Sequence, residues 1–116
     1  MLTAFVGARV FDGERFIDDA AVLVREGDVA GVVRQIDTPD GAARVELEGG
    51  VLAPGFVDVQ VNGGGDVLFN DTPTPDAISA IVAAHARFGT TGMTPTLISD
   101  HDDVLRAGAT SLNYQV

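Results

Sequence analysis

The sequence predicts a mixed α and β fold, in which a small antiparallel β-domain is followed by alternating strands and helices. Two observations predict it. Apolar runs in the first 50 residues are separated by Asp-Gly and Gly-Asp pairs, and after residue 65 the apolar residues recur at three- and four-residue spacing. Asp-Gly between apolar runs is a strong hairpin signal, whereas the later spacing marks one face of a helix. We therefore expect two domains, residues 1–50 and 51–116.

The first domain is predicted to be a small β-sheet built from hairpins. The turns are the glycine-containing segments 12–14 and 26–28, each flanked by apolar residues. We interpret this region as scaffold rather than as a functional site. Its strands are predicted at residues 4–11, 15–17, 20–25, 29–34 and 44–47.

The second domain begins with a strand that carries polar side chains on one face. Asp58, Gln60 and Asn62 alternate with valines, so they project from the same side of a predicted buried strand. Three polar groups on an apolar strand are costly unless that face is wet or functional. The three glycines at 63–65 allow a sharp turn or a close approach to a ligand. This pattern is typical of a site at the carboxyl end of a barrel strand.

A helix is predicted after this strand. Thr74 is suited to cap it, Pro75 and Asp76 suit its first turn, and Gly89 can end it. Its apolar stripe has helical spacing and consists of Ile78, Ile81, Val82, His85 and Phe88.

A second strand and helix complete the pattern. Residues 90–98 are predicted to form another buried strand, interrupted near its end by Pro95. Ser99-x-x-Asp102 is a variant of the capping pattern and predicts a helix through Leu105. Strand, helix, strand and helix in this order suggest one and a half β/α units.

The second domain resembles the start of the amidohydrolase barrel, and in detail the N-acetylglucosamine-6-phosphate deacetylase family. The resemblance implies a β-sandwich-like domain followed by the first β/α units of an incomplete (β/α)8 barrel. With 116 residues, the chain is short of the roughly 250 of such a barrel, so we expect an amino-terminal portion. The segments that carry the resemblance are residues 52–65, Val67-Leu68-Phe69-Asn70-Asp71, residues 84–92 and residues 94–100.

Gln60 and Asn62 are the candidate site residues. The residues alone favour a structural role, in which the amides satisfy backbone groups at the strand end. The resemblance instead implies that both line the metal pocket, where most amidohydrolases carry His-x-His, and it is similar to the single-metal subclass of the deacetylases. Because amides are poor zinc ligands, a metal at this half of the site would bind weakly.

The resemblance implies hydrolysis of N-acetylglucosamine 6-phosphate to glucosamine 6-phosphate and acetate. The complete enzyme would use a divalent metal, zinc or iron, with an aspartate as general base and then acid. It would be a homo-oligomer that acts on a small amino-sugar phosphate. Since the metal ligands and this aspartate come from later barrel strands, we expect this chain alone to bind no metal tightly and to be inactive.

Two other functions are also considered. An incomplete barrel leaves strand edges unpaired, which favours a non-catalytic, self-associating β-rich module. Another amidohydrolase, acting on a cyclic amide, is the third hypothesis. The replacement of His-x-His by Gln60-Val61-Asn62 argues against it.

Composition argues against several classes of function. Seven basic and seventeen acidic residues leave a net charge of −10, which disfavours a nucleic-acid partner. The absence of cysteine excludes disulfides and thiol catalysis and fits a reducing compartment. No apolar run approaches the ~20 residues of a membrane span, and the amino terminus does not resemble a signal peptide. We expect a cytoplasmic protein with no membrane partner.

The remaining polar residues are given structural interpretations. Asp58 is predicted to make a structural hydrogen bond or salt bridge, and His85 to be packed and hydrogen-bonded. His101 is predicted to face solvent, and residues 63–65 to form a turn rather than a phosphate loop. Asn70 and Asp71 are predicted to be a loop and a helix cap. The tail, residues 111–116, does not continue the pattern of the family.

Overall fold

The computed structural model describes residues 1–112, so most of the tail at 111–116 lies outside the described residues. The chain forms two compact units, Met1–Pro54 and Gly55–Val116, and each has its own apolar core. The predicted mixed, sheet-rich fold is confirmed, whereas the domain boundary at residue 50 stays a prediction. In chain order the elements are β1 (Leu2–Val6), β2 (Arg9–Phe11), β3 (Phe16–Ile17), β4 (Ala20–Arg25), β5 (Asp28–Arg34), a 3₁₀ turn (Gln35–Asp37), β6 (Ala43–Glu46), β7 (Val51–Leu52), β8 (Phe56–Val61), β9 (Gly63–Gly64), β10 (Val67–Leu68), α1 (Pro75–Ala86), β11 (Thr90–Pro95) and α2 (Asp102–Ser111).

The larger sheet of the first unit has the strand order β5-β4-β1-β6. The hairpin predicted around residues 26–28 is present as β4 and β5, which pair antiparallel. The strand predicted near residue 44 is present as β6, but it runs parallel to β1, so the sheet is not purely antiparallel. The core of this unit consists of Ala4, Val6, Ala21 and Leu23.

The strand predicted over residues 4–11 is broken at Gly7. β1 ends at Val6, and β2 begins at Arg9 in a separate sheet of order β3-β2-β7. Gly7 has a φ of +85°, and a Cβ added there would lie 2.5 Å from the carbonyl oxygen of Leu47. The positive φ and this close approach together require glycine where the chain changes sheets. The hairpin predicted at residues 12–14 joins β2 to β3.

The second unit is organised around β8 and β11, which pair in parallel. Helix α1 connects them, and its Ile78 and Ile81 pack with Val61 and Phe69 in the core of the unit. The other strands of this unit, β9 and β10, form a short antiparallel pair.

The prediction that β8 is a buried strand is wrong for the described chain. Val61 is 3% exposed, but Phe56, Val57 and Val59 are exposed, Val59 at 74%. Parallel strands become buried when they have neighbours on both edges and elements on both faces. Among the described residues, β8 pairs only with β11.

Helix α1 begins as predicted. Thr74 accepts a hydrogen bond from the backbone N–H of Ala77 at 3.2 Å, and Pro75 occupies the first turn. The predicted apolar stripe is only partly buried, since Val82 and Phe88 are exposed. Phe88 lies beyond the last helical residue, so helical spacing no longer sets its direction.

Helix α2 begins differently from the prediction. His101, not Ser99, occupies the N-cap position, and its side chain makes no capping hydrogen bond. Asp102, predicted as the fourth residue of the capping pattern, is instead the first residue of the helix. Within residues 1–112, no helix has the length and apolar character needed to cross a membrane.

The substitution Gly7→Ala is expected to destabilise the first unit by about 2 kcal/mol or more, because alanine disfavours a positive φ and its Cβ would meet the Leu47 carbonyl oxygen. The measurement is the free energy of unfolding in urea. Gly41→Ala is the control, since nothing lies within 4 Å of its added Cβ, and it should change the value by less than about 0.5 kcal/mol. Equal effects of the two substitutions would contradict the role given to Gly7.

Candidate functional site

The candidate site lies at the carboxyl ends of β8 and β11. Because the two strands are parallel, their carboxyl ends meet at one edge of the sheet. The backbone N–H of Thr96 donates to the carbonyl oxygen of Val61 at 2.8 Å, which extends the pairing past the last strand residue. Asn62 and Thr96 are therefore neighbours at this edge, although 34 residues separate them.

Asn62 is anchored at this edge through its side-chain amide. Its Nδ2 donates to the backbone carbonyl of Thr96 at 3.0 Å and to Thr96 Oγ1 at 3.1 Å. The side chain is half-buried. The structure thus shows that Asn62 satisfies a backbone group of the residue that follows the neighbouring strand, while its place in a metal pocket stays a prediction.

Gln60 is more open. Its side chain is exposed and makes no hydrogen bond with residues 1–112. Its backbone N–H donates to Asp58 Oδ1 at 3.1 Å, so Asp58 makes the structural hydrogen bond that the sequence predicts. The strand therefore presents one anchored amide and one unengaged amide at the site, and the catalytic role of Gln60 also stays a prediction.

Asn70 joins the two loops that follow the strands. Its side chain is 5% exposed. Nδ2 donates to the carbonyl oxygen of Ile98 at 3.0 Å, and Oδ1 accepts the Ile98 N–H at 3.0 Å. The amide thus pairs with Ile98 as a neighbouring strand would. The sequence predicted an ordinary loop residue and did not predict this pairing. The local signal for it is an amide, Asn70, directly after the apolar run Val67–Phe69.

Asp100 extends the same network. Its Oδ2 accepts a hydrogen bond from Asn70 Nδ2 at 2.9 Å, and its Oδ1 accepts the backbone N–H of His101 at 2.8 Å. The bond from Asn70, followed by that from His101, lowers the pKa of Asp100 below its usual value. Because the folded pKa is lower than the unfolded one, the carboxylate stabilises the fold above about pH 4, and this stabilisation is lost as the pH falls through the folded pKa.

The glycine segment after Asn62 packs against helix α1. His85 Nε2 is 3.0 Å from the carbonyl oxygen of Gly63, and a Cβ added at Gly64 would lie 2.8 Å from the His85 ring. The prediction of a packed, hydrogen-bonded His85 is confirmed. His101 is exposed, also as predicted. The prediction of a turn holds only for Gly65, because Gly63 and Gly64 form β9. Without side chains, these glycines allow β9 to approach the helix, which explains them without a phosphate.

Comparison with known proteins finds similarity to deacetylases of amino-sugar phosphates. The chain is 37% identical over 105 residues to N-acetylgalactosamine-6-phosphate deacetylase of a Shewanella species, covering 89% of this chain and 27% of the relative. It is 26% identical over 107 residues to N-acetylglucosamine-6-phosphate deacetylase of Haemophilus influenzae, covering 92% and 28%. The crystal structure of the Pasteurella multocida N-acetylglucosamine-6-phosphate deacetylase superposes with a TM-score of 0.88 at 25% identity, covering 97% and 30%. This chain is similar to the amino-terminal portion of these deacetylases.

These similarities confirm the resemblance that the sequence predicts over the amino-terminal portion. No protein-family model matches the chain. The chain spans about a quarter of the length of the curated relatives that it matches. The enzyme from Mycobacterium smegmatis, at 24% identity and a TM-score of 0.77, supports the same fold.

The site residues of this chain do not fit a tightly bound divalent metal. Within residues 1–112, no group of three or more His, Cys, Asp or Glu side chains is arranged to hold a metal ion. The edge instead offers the amides of Gln60 and Asn62, the hydroxyl of Thr96 and, among the described residues, a single carboxylate, Asp100, which already accepts hydrogen bonds from Asn70 and His101. The amides and the hydroxyl are neutral and are poor ligands for zinc compared with imidazole, thiolate or carboxylate.

The substitution Asn70→Ala is expected to lower the free energy of unfolding by about 2 kcal/mol, because it leaves the Ile98 N–H and carbonyl without their partner. It should also raise the pKa of Asp100 toward its usual value, since the largest cause of the lowering is removed. Urea unfolding and an NMR titration of the Asp100 carboxyl carbon measure the two effects. Gln60→Ala is the control, and it should leave the free energy of unfolding and the pKa of Asp100 unchanged. If the pKa of Asp100 did not rise in Asn70→Ala, this result would contradict the network.

Proposed function

We propose that this chain is the amino-terminal part of a metal-dependent amidohydrolase that deacetylates an N-acetylhexosamine 6-phosphate, giving the hexosamine 6-phosphate and acetate. The observation that carries the proposal is the shared carboxyl edge of β8 and β11, which brings Asn62 to Thr96. Active sites of β/α barrels form at this edge. The relatives support the reaction, since one is named for the galacto epimer and the other for the gluco epimer.

The proposed barrel is supported by the surface of β8. Phe56, Val57 and Val59 are exposed on a strand that pairs with one neighbour among the described residues. In a barrel, each strand has two neighbours and is covered by helices outside and by other strands' side chains inside. Further strands would therefore cover the apolar residues that this chain leaves open.

The proposed role of Gln60 and Asn62 is to line the metal pocket. Their amides form hydrogen bonds with substrate or water and do not serve as metal ligands. We place the metal ligands and the catalytic aspartate on residues other than 1–112. In this proposal the chain supplies one polar wall of the active site.

A chimera tests the proposed function. The segment of the Shewanella enzyme that matches this chain is replaced by the corresponding residues of this chain, and acetate release is measured with both epimers of the substrate. We expect the chimera to be active. Asn62→Leu in the chimera should lower kcat/KM roughly 10- to 100-fold, because the pocket loses a polar contact. Ser79→Ala, on the exposed side of α1, is the matched control and should have no effect.

The isolated chain is the second arm of this experiment. The purified 116-residue chain, supplied with zinc, should release no more acetate than the metal-free control, because it lacks suitable metal ligands among its described residues. Metal-dependent turnover by this chain would overturn the assignment of the ligands to other residues. A chimera that folds but has no activity on either epimer would overturn the proposed function itself.

A second candidate function is a non-catalytic module that self-associates. The observation that favours it is that Phe56, Val57 and Val59 of β8 expose their apolar side chains. In addition, β8 has a strand partner on only one of its edges among the described residues. Light scattering should then show a discrete dimer, and Val59→Lys should convert it to a monomer. Val29→Lys, at a similarly exposed valine of the first unit, should leave the dimer intact. A compact monomer of the unsubstituted chain would contradict self-association.

A further inference from the structure

We propose that Thr96 is a positioning residue that fixes the orientation of the Asn62 amide, so that the site offers the carbonyl oxygen Oδ1 of Asn62, and not its NH2 group, to a ligand. The inference rests on the chemistry of the groups that surround this side chain. It deepens the proposed function and relies on it only for the identity of the ligand.

The orientation follows from the backbone carbonyl of Thr96. Asn62 Nδ2 lies 3.0 Å from this oxygen, which has no hydrogen to donate. A flipped amide would place two acceptor oxygens against each other and lose the bond. The Thr96 hydroxyl, 3.1 Å from Nδ2, can either donate or accept and so adds a second acceptor to the orientation that the carbonyl requires.

Thr96 is itself held in place by the sheet. Its backbone N–H donates to the carbonyl oxygen of Val61 at 2.8 Å, directly after the paired residues Pro95 and Val61. The direction of the Thr96 carbonyl is therefore set by the pairing of β8 with β11. Asn62 cannot reorient without breaking a contact that the strand pairing maintains.

The same amide retains capacity to bind. Both hydrogen-bonding sides of the Asn70 amide are used, since its Oδ1 accepts the Ile98 N–H and its Nδ2 donates to two oxygens. In Asn62 only Nδ2 is used, and no residue within 1–112 donates to Oδ1. Asn70 is thus a structural amide, whereas Asn62 keeps one acceptor available.

The free acceptor, Asn62 Oδ1, determines which chemical groups can bind at this edge. Oδ1 can accept from a water, a hydroxyl or an amide N–H, but it repels the oxygens of a phosphate or a carboxylate. We therefore assign the hydroxyl and acetamido side of the proposed substrate, or the water that attacks it, to this edge. The phosphate belongs to another part of the site.

Hydrogen exchange of the side-chain amides tests the orientation in the 116-residue chain itself. Two neutral hydrogen bonds should slow exchange of the Asn62 NH2 roughly tenfold relative to the NH2 of exposed Gln60, the internal control. Thr96→Val should accelerate exchange at Asn62, and Thr96→Ser should restore the slow rate. Protection of the Ile78 N–H in α1 reports that each variant is folded.

A carboxyl group introduced at position 62 tests whether this side chain faces the carbonyl oxygen of residue 96. In an Asn62→Asp, Thr96→Val double variant, the carboxyl group at position 62 faces the backbone carbonyl oxygen of residue 96, and no hydroxyl is present to donate to it. Because the carbonyl oxygen repels a carboxylate, the pKa of this carboxyl group should rise above the usual value of about 4. Gln60→Glu is the matched control and should titrate normally. Exchange at Asn62 as fast as at Gln60, or a normal pKa at position 62, would overturn the inference. Neither readout requires substrate, so absence of deacetylation would leave the inference standing and count only against the proposed function.

Discussion

The parallel pairing of β8 with β11 is the constraint on which the second unit depends. Parallel strands require a crossover connection, and here the connection contains α1, whose Ile78 and Ile81 cover Val61 and Phe69. The pairing also brings the loops that follow the two strands to the same edge. The contacts of Asn62 with Thr96 and of Asn70 with Ile98 join residues that this pairing brings close together.

The polar side chains of the site differ in how many of their hydrogen-bonding groups remain free to bind a ligand. The Asn70 amide and the His85 ring are engaged with the backbone of Ile98 and Gly63, so they hold the loops in place. Such buried bonds stabilise modestly when made and are costly when one partner is lost. Asn62 is held on one side only, and Gln60 is not held by its side chain. The edge therefore combines a rigid support with amide groups that can still bind.

Local patterns predicted the elements whose causes are local. Alternation predicted β8, and the Thr74 cap with Pro75 predicted where α1 begins. The break of the first strand at Gly7 and the pairing of Asn70 with Ile98 were not predictable in this way, because each depends on a residue 28 or more positions away. The exposure of β8 depends likewise on which strands lie beside it. Asn62 was predicted as a site residue, but its partner Thr96 was not.

Charge constrains how an anionic substrate could approach the edge. The second unit contains seven aspartates and only two arginines, Arg87 and Arg106. Arg87 follows α1, and the nearby Gly89 carbonyl accepts the N–H of Phe56 at the beginning of β8, so Arg87 lies toward the amino ends of the strands. The opposite edge carries Asp100 and the Asn62 acceptor. Arg87 is therefore not placed to attract the phosphate of the proposed substrate to the carboxyl edge, where Asp100 and the Asn62 acceptor favour a group that is uncharged or donates hydrogen bonds.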